Sequence, residues 1–296
     1  MRLRSAPVAA AGFLAGALAS VQAFAQAVGA PQKWQMGFQE AATPVMQDIT
    51  DFHNWLLVLI TAITLFVLGL MVYIAYRFNA KANPVPSRNT HNMLLELAWT
   101  VVPIIILVSM AIPSFRLLYK EDVVPDAARV HEMYGITVAT TINLKAIGHQ
   151  WNWSYELPDQ SAKFDAYCAV GPAEGGCLDQ VATPGHPRLL DTTDHIKVPV
   201  NALVKVSVTA TDVIHSWAVP AFGVKVDGVP GRINQTWFVA TKTGTFYGQC
   251  SELCGQGHGF MPITVDVVSM QEFNAWVATK KAAIDTPRPP QQFAAQ

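Results

Sequence analysis

Two long uncharged runs dominate the hydrophobic pattern of the chain. The first extends from Trp55 to Tyr76 and the second from Leu97 to Phe115, between Glu96 and Arg116. At 1.5 Å per helical residue each is long enough to cross a hydrocarbon core of about 30 Å, so the pattern predicts a membrane hairpin over residues 53–119. Pro103 and Pro113 lie inside the second run, where neighbouring helices can satisfy the freed carbonyls. Beyond residue 130 the period changes. Val204, Val206 and Val208 alternate with polar residues, as do Ile263, Val265 and Val267 with Thr264 and Asp266. Such alternation predicts half-buried strands, and turn signals such as Pro230-Gly231 and Thr243-Gly244 suggest a small antiparallel sandwich or barrel. A helix is expected from Gln271 to about Ile284, followed by a poorly ordered Pro-rich tail over 285–296.

The N-terminus carries Arg2 and Arg4, then an Ala- and Leu-rich stretch ending in Ala23-Phe24-Ala25. This reads as a signal peptide over residues 1–25, with Ala25-Gln26-Ala27 as a competing cleavage site and an additional membrane helix as the alternative. Residues 26–52 would then form an outer segment. The connection from Arg77 to Asn92 contains Arg77, Lys81 and Arg88 without an acid, whereas Asp48, Asp51, Glu121 and Asp122 flank the other ends. The positive-inside rule puts that connection in the cytoplasm and everything after about residue 120 outside. Composition agrees: 51% of residues are hydrophobic and 14% charged, apolar for a soluble domain. A net charge of −1 with no basic run gives no reason to expect nucleic acid as a partner.

The four cysteines fall into two pairs, Cys168 with Cys177 and Cys250 with Cys254. The second pair lies in Tyr247-Gly-Gln-Cys250-Ser-Glu252-Leu-Cys254-Gly-Gln-Gly-His258-Gly-Phe-Met261, with His215 upstream in Asp212-Val-Ile-His215-Ser-Trp217. A disulfide is the simplest use of two extracytoplasmic cysteines, but it leaves His258, Met261 and His215 without a role. Zinc is a poor match for Met, while a mononuclear blue-copper site leaves one Cys over. Two thiolates bridging two soft metal ions account for the set better. Gly255, Gly257 and Gly259 suit a tight ligand loop.

With its two membrane runs and this loop, the chain resembles cytochrome c oxidase subunit II, whose copper-binding outer domain carries the binuclear CuA centre. The resemblance implies a cupredoxin-like Greek-key barrel over residues 120–284 with an insertion at about 157–188. It implies Cys250 and Cys254 as bridging ligands, His215 and His258 as imidazole ligands, Met261 as thioether and Glu252 as carbonyl donor. The Glu252 side chain would also hold a magnesium or manganese ion shared with subunit I. The segment Trp151-Asn-Trp153-Ser-Tyr155-Glu156 places alternate aromatics on one strand face; the resemblance makes Trp151 the point where electrons arrive, while Trp153 and Tyr155 read as core. Glu96 would stand at the mouth of a proton path into subunit I, or simply at the membrane interface. Glu156, Asp191, Asp194 and Asp212 would form an acidic docking surface for cytochrome c, or be ordinary solvated charges. The implied partners are cytochrome c, subunits I and III and the lipid bilayer, in a bacterial cell membrane with the N-terminus and copper domain periplasmic. Oxygen reduction coupled to proton pumping would take place in subunit I. A local disulfide is expected between Cys168 and Cys177. A copper chaperone, a quinol oxidase subunit and a subunit with a vestigial site are the rival readings. Two helices, a mainly β outer domain and the additional His258 and Met261 argue against the first, and the full ligand set argues against the other two.

Overall fold

The computed structural model describes residues 29–169 and 187–285. The expected signal peptide, the middle of the insertion with Cys177, and the C-terminal tail lie outside these residues. Among the described residues, helix α1 (Pro44–Arg77) and helix α2 (Met93–Asp122) are the two long and apolar enough to cross a membrane. With 34 and 30 residues they reach about 50 and 45 Å, longer than the uncharged runs because polar turns continue the helix at the ends. Thr43 caps α1: its hydroxyl accepts from the Met46 amide at 3.0 Å and donates to the Phe222 carbonyl at 2.8 Å. The same cap therefore fastens the first helix to the outer domain. Asn92 caps α2 by accepting from the Leu95 amide. The apolar side chains of both helices point mostly outward, as expected of surfaces covered by lipid or by other subunits.

A short helix, α3 (Ala127–Tyr134), follows, capped by Asp126 and stopped by Gly135 in the left-handed region. The outer end of the hairpin is tied down around it. Lys120 Nζ donates to Asp48 at 2.7 Å, the Tyr134 hydroxyl donates to the same carboxylate at 3.1 Å, and Trp237 Nε1 donates to the Lys120 carbonyl.

Among the described residues the β domain has two five-stranded sheets. One is built from β1 (Thr141–His149), β2 (Asn152–Leu157), β3 (Ala162–Ala166), β5 (Leu203–Ala210) and β8 (Asn234–Val239), in the order β3-β2-β1-β5-β8. The other holds β4 (Ile196–Pro199), β6 (His215–Val219), β7 (Val224–Gly228), β9 (Gly244–Cys250) and β10 (Pro262–Val268), in the order β4-β10-β9-β6-β7. This is the small β sandwich or barrel that the alternation predicts and that the resemblance makes cupredoxin-like, with one correction: the sheets are mixed, not antiparallel throughout. The chain leaves the first sheet after β3, contributes β4 to the second and returns as β5, so β5 runs parallel to β1, and β10 runs parallel to β4. Trp153, Tyr155, Leu144, Val206, Trp217, Phe238 and Val265 fill the space between the sheets. The expected terminal helix is α4 (Met270–Asp285). Its Trp276 meets Phe164 of β3 edge to face, with ring centroids 5.5 Å apart, so the start of the 157–188 insertion is itself part of the core.

Candidate metal centre

The β6–β9 pair inside the second sheet and the loop after β9 bring the soft donors together. Cys250 ends β9, opposite Trp217 of β6. His215 opens β6 and does not extend β5, the Val204–Val208 strand. That strand stops at Ala210, and the Asp212 turn carries the chain into the other sheet. His215 therefore lies on the same sheet as Cys250. Its ring is fully buried and fits only because residue 148 is glycine, since a Cβ there would lie 2.7 Å from His215 Cδ2.

The two sulfurs of Cys250 and Cys254 are 3.9 Å apart, and both thiols are free. Cys250 Sγ lies 3.9 Å from His215 Nδ1 and donates to the Glu252 carbonyl at 3.4 Å. Cys254 Sγ lies 3.5 Å from both His258 Nδ1 and Met261 Sδ. Metal bonds of about 2.0 Å to nitrogen and 2.3 Å to sulfur, at tetrahedral angles, separate neighbouring ligand atoms by about 3.5 Å. The spacing thus fits metal ions shared between the sulfurs, and each of the six residues expected from the sequence has an N, O or S atom within 3.9 Å of a cysteine sulfur.

The electrostatics prepare the same outcome. Burial opposes charge on Cys250, but hydrogen bonds from His215 and from the backbone at Glu252 and Ser216 outweigh it and hold the thiol below its ordinary value. Burial and then the Cys250 charge push the Cys254 thiol up. One thiolate forms readily and the second needs added positive charge, which a cation between the sulfurs supplies.

Asp212 organises this centre and does not primarily face outward. Its carboxylate accepts from His215 Nε2 at 2.9 Å, from the Val213 amide at 2.7 Å and from the Gln150 amide at 2.7 Å. Burial would raise this carboxyl, yet those bonds, that of His215 foremost, hold it below the usual range. With Nε2 donating to Asp212, loss of the Nδ1 proton that faces Cys250 would leave the Nδ1 lone pair toward the sulfurs.

Trp151 lies in the β1–β2 turn, just before β2 and off the strand face that its alternation with Trp153 and Tyr155 suggested. Those two are buried core residues, whereas Trp151 is 38% exposed and donates from Nε1 to the Cys254 carbonyl at 3.2 Å. Its ring lies on Gly257, where a Cβ would come within 2.4 Å of Trp151 Cδ2. One face of this indole therefore touches the ligand loop while part of it meets solvent.

The four candidate docking acids do not form one free acidic face. Asp191 is only 5% exposed, and its carboxylate accepts from His195 Nε2 at 2.9 Å. This corrects its assignment to the surface: a buried, paired carboxylate offers little to a partner. Glu156 pairs with Lys145 and Lys163, and Asp194 with Lys280. Glu96, in the first turn of α2, accepts from the Asn92 amide at 3.2 Å and lies 3.6 Å from His91 Nδ1, so it completes a reciprocal cap. The Glu252 side chain is exposed. Cys168 is disulfide-bonded, in keeping with the expected local bridge. Sequence reasoning missed the joint role of Gln150 and Gly148. Both sit beside the singled-out Trp151, but neither type announces a function without knowing what lies across the turn.

Comparison with known proteins gives a consistent picture. Residues 31–117 match the family model described as cytochrome C oxidase subunit II, transmembrane domain, and residues 142–268 match its periplasmic domain. A probable cytochrome c oxidase subunit 2 from Rickettsia bellii is 47% identical over 251 residues, covering 84% of this chain and 86% of that protein. Cytochrome c oxidase subunit 2 from Cereibacter sphaeroides is 45% identical over 279 residues, covering 90% and 88%. Among solved structures, the periplasmic domain of subunit II of cytochrome oxidase from Bradyrhizobium japonicum is 46% identical, covers 54% of this chain and 99% of its own, and aligns with a TM-score of 0.44.

Proposed function

The chain belongs to the cytochrome c oxidase subunit II family, and we propose that it accepts electrons from cytochrome c at a binuclear copper centre and passes them to haem in subunit I. Membership implies assembly with the other subunits of a haem-copper oxidase in a membrane. The observation that carries the finer reading is the convergence of two free thiols, two imidazoles and a thioether at separations of 3.5–3.9 Å. Copper bound there would supply a one-electron couple spread over soft ligands.

The chain's own residues do the rest. Cys250 and Cys254 would hold the copper through their sulfurs, His215 and His258 through Nδ1, and Met261 and the Glu252 carbonyl would complete the set. Asp212 holds the His215 ring and its tautomer. Burial of Cys250, Cys254, His215 and Met261 keeps water from the ligands, so little solvent need reorganise when charge changes. Trp151 bridges solvent and loop, which suits an indole that receives an electron from a docked haem edge. Glu156, Asp194 and Asp212 keep part of each carboxylate exposed and would steer a basic partner, weakly and with salt sensitivity. The exposed Glu252 carboxylate is free to meet a magnesium or manganese ion at the boundary with subunit I. Glu96, half exposed at the membrane end of α2, is assigned to the proton path, and its capping bond is compatible with that role. The basic connection between α1 and α2 supports a cytoplasmic hairpin tip and a periplasmic copper domain, and subunit III would be a further partner beside subunit I.

Rapid mixing of the assembled oxidase with reduced cytochrome c tests the reading. Replacing Trp151 by Phe, which removes the bond to the Cys254 carbonyl, should slow electron uptake with copper content unchanged. Uptake at the wild-type rate would remove Trp151 from the route.

A further inference from the structure

Gln150 precedes Trp151 in the β1–β2 turn and touches both halves of the metal centre. Its backbone amide donates to Asp212 Oδ2 at 2.7 Å, and Asp212 in turn holds His215. Its side-chain Nε2 donates to the Cys254 carbonyl at 2.8 Å. Trp151 Nε1 donates to that same oxygen at 3.2 Å, so one carbonyl of the ligand loop receives two N–H dipoles. The amide lies close against the loop: a Cβ on Gly255 would be 3.1 Å from Gln150 Nε2, and Gly255 has φ +116°, a conformation in which side chains are strained.

We propose that Gln150 is a positioning residue for electron transfer, whose side-chain amide fixes the Cys254 peptide and thereby locks Trp151, the ligand loop and the Asp212–His215 pair into one unit. The inference rests on the copper reading given above. The physical ground is twofold. A carbonyl that accepts two hydrogen bonds cannot rotate, so the Cys254 sulfur and the indole keep their relative placement through a redox cycle. The positive ends of two N–H dipoles also lie on the Cys254 carbonyl, next to one of the centre's sulfur-bearing residues, and would favour its electron-rich state. Removing one of them lowers the reduction potential even where the copper ligands are untouched.

The test uses the assembled oxidase carrying Gln150→Leu or Gln150→Glu. Copper content, the reduction potential of the copper centre by spectroelectrochemistry, and the rate of electron uptake from reduced cytochrome c are measured for each. Leu keeps the bulk and removes the donor; Glu places an acceptor against an acceptor and adds negative charge. The expected order of potentials is wild type, then Leu, then Glu, with copper bound in all three. Uptake should slow by roughly two- to tenfold in the Leu variant, the effect of one net hydrogen bond. A purely architectural role would not produce that ordered fall in potential. Wild-type potential and uptake in both variants would overturn the proposal. If the Leu variant loses copper, Gln150→Lys, which restores an N–H donor toward the Cys254 carbonyl, must recover it, and failure to do so also overturns the proposal. A wild-type oxidase with no copper at these residues would overturn the functional reading itself, and the inference with it.

Discussion

Replacing Asp212 by Asn removes little volume but breaks the hydrogen-bond arithmetic around His215. The carboxylate accepts three N–H groups, from His215, Val213 and Gln150, at 2.7–2.9 Å. Asn has one acceptor oxygen. If that oxygen keeps the His215 and Val213 bonds on Oδ1, its NH2 faces the Gln150 amide, donor against donor. If it turns the other way, the NH2 faces His215 Nε2 and favours the tautomer whose Nδ1 carries the proton, which cannot bind a metal. Either arrangement costs about 1–3 kcal/mol, and loss of the partner of a metal-ligating His lowers metal affinity by about 10- to 100-fold, equivalent to about 1.4–2.7 kcal/mol. Copper affinity of the detergent-solubilised chain is measured by competition with a chelator of known affinity, alongside thermal unfolding of the metal-free protein to separate binding from folding. Asp212→Asn binding copper within twofold of wild type would refute the assignment of Asp212 as the group that orients His215.

Further outcomes follow from the same geometry. His195 lies between Asp191 and Asp266; burial would lower its pKa, but the two carboxylates raise it from 6.5 to about 9. Its contribution to stability is thus fully present below about pH 6.5 and lost as pH rises through about 9, a loss of about 3 kcal/mol. The stability difference between wild type and His195→Gln should shrink over that window in denaturant titrations, and a difference independent of pH would contradict it. Gly148→Ala would place a Cβ 2.7 Å from the buried His215 ring, costing about 1–3 kcal/mol and weakening copper binding; an unchanged melting temperature and affinity would show that the ring can move aside. Gly257→Ala would drive a Cβ to within 2.4 Å of the Trp151 ring, and should displace the indole, seen as altered Trp fluorescence and slower electron uptake.

Much of this was legible in the chain because the relevant signals are local or chemically distinctive. Uncharged runs of helical length announced α1 and α2, and period-two valines announced β5 and β10. The loop from Cys250 to Met261 carries most of its ligands within twelve residues, on chemistry that few other sites share. What the sequence hid depends on contacts across the fold. Parallel pairing of β1 with β5 follows from a crossover through the second sheet, which no periodicity encodes. Helix α3 has eight residues and buries only Val130, too little for a helical stripe. Asp212 read as a surface charge because nothing in its neighbours says that it turns back on His215, three residues later. Asp191 read as exposed for a similar reason: its partner His195 is close in sequence, but its burial comes with the segment before β4 lying on β9 and β10, where Thr264 donates to the Leu190 carbonyl and Gln249 to the Leu189 carbonyl.

The central claim is that Cys250 and Cys254 bridge two copper ions. The most direct measurement is copper stoichiometry together with the electron paramagnetic resonance spectrum of the chain in the assembled oxidase, before and after replacing Cys254 by Ser. The account predicts two coppers at this site sharing one unpaired electron, with hyperfine splitting from two equivalent nuclei that disappears in the variant. A spectrum of a single copper nucleus, or no copper at these residues in the wild-type protein, would contradict it.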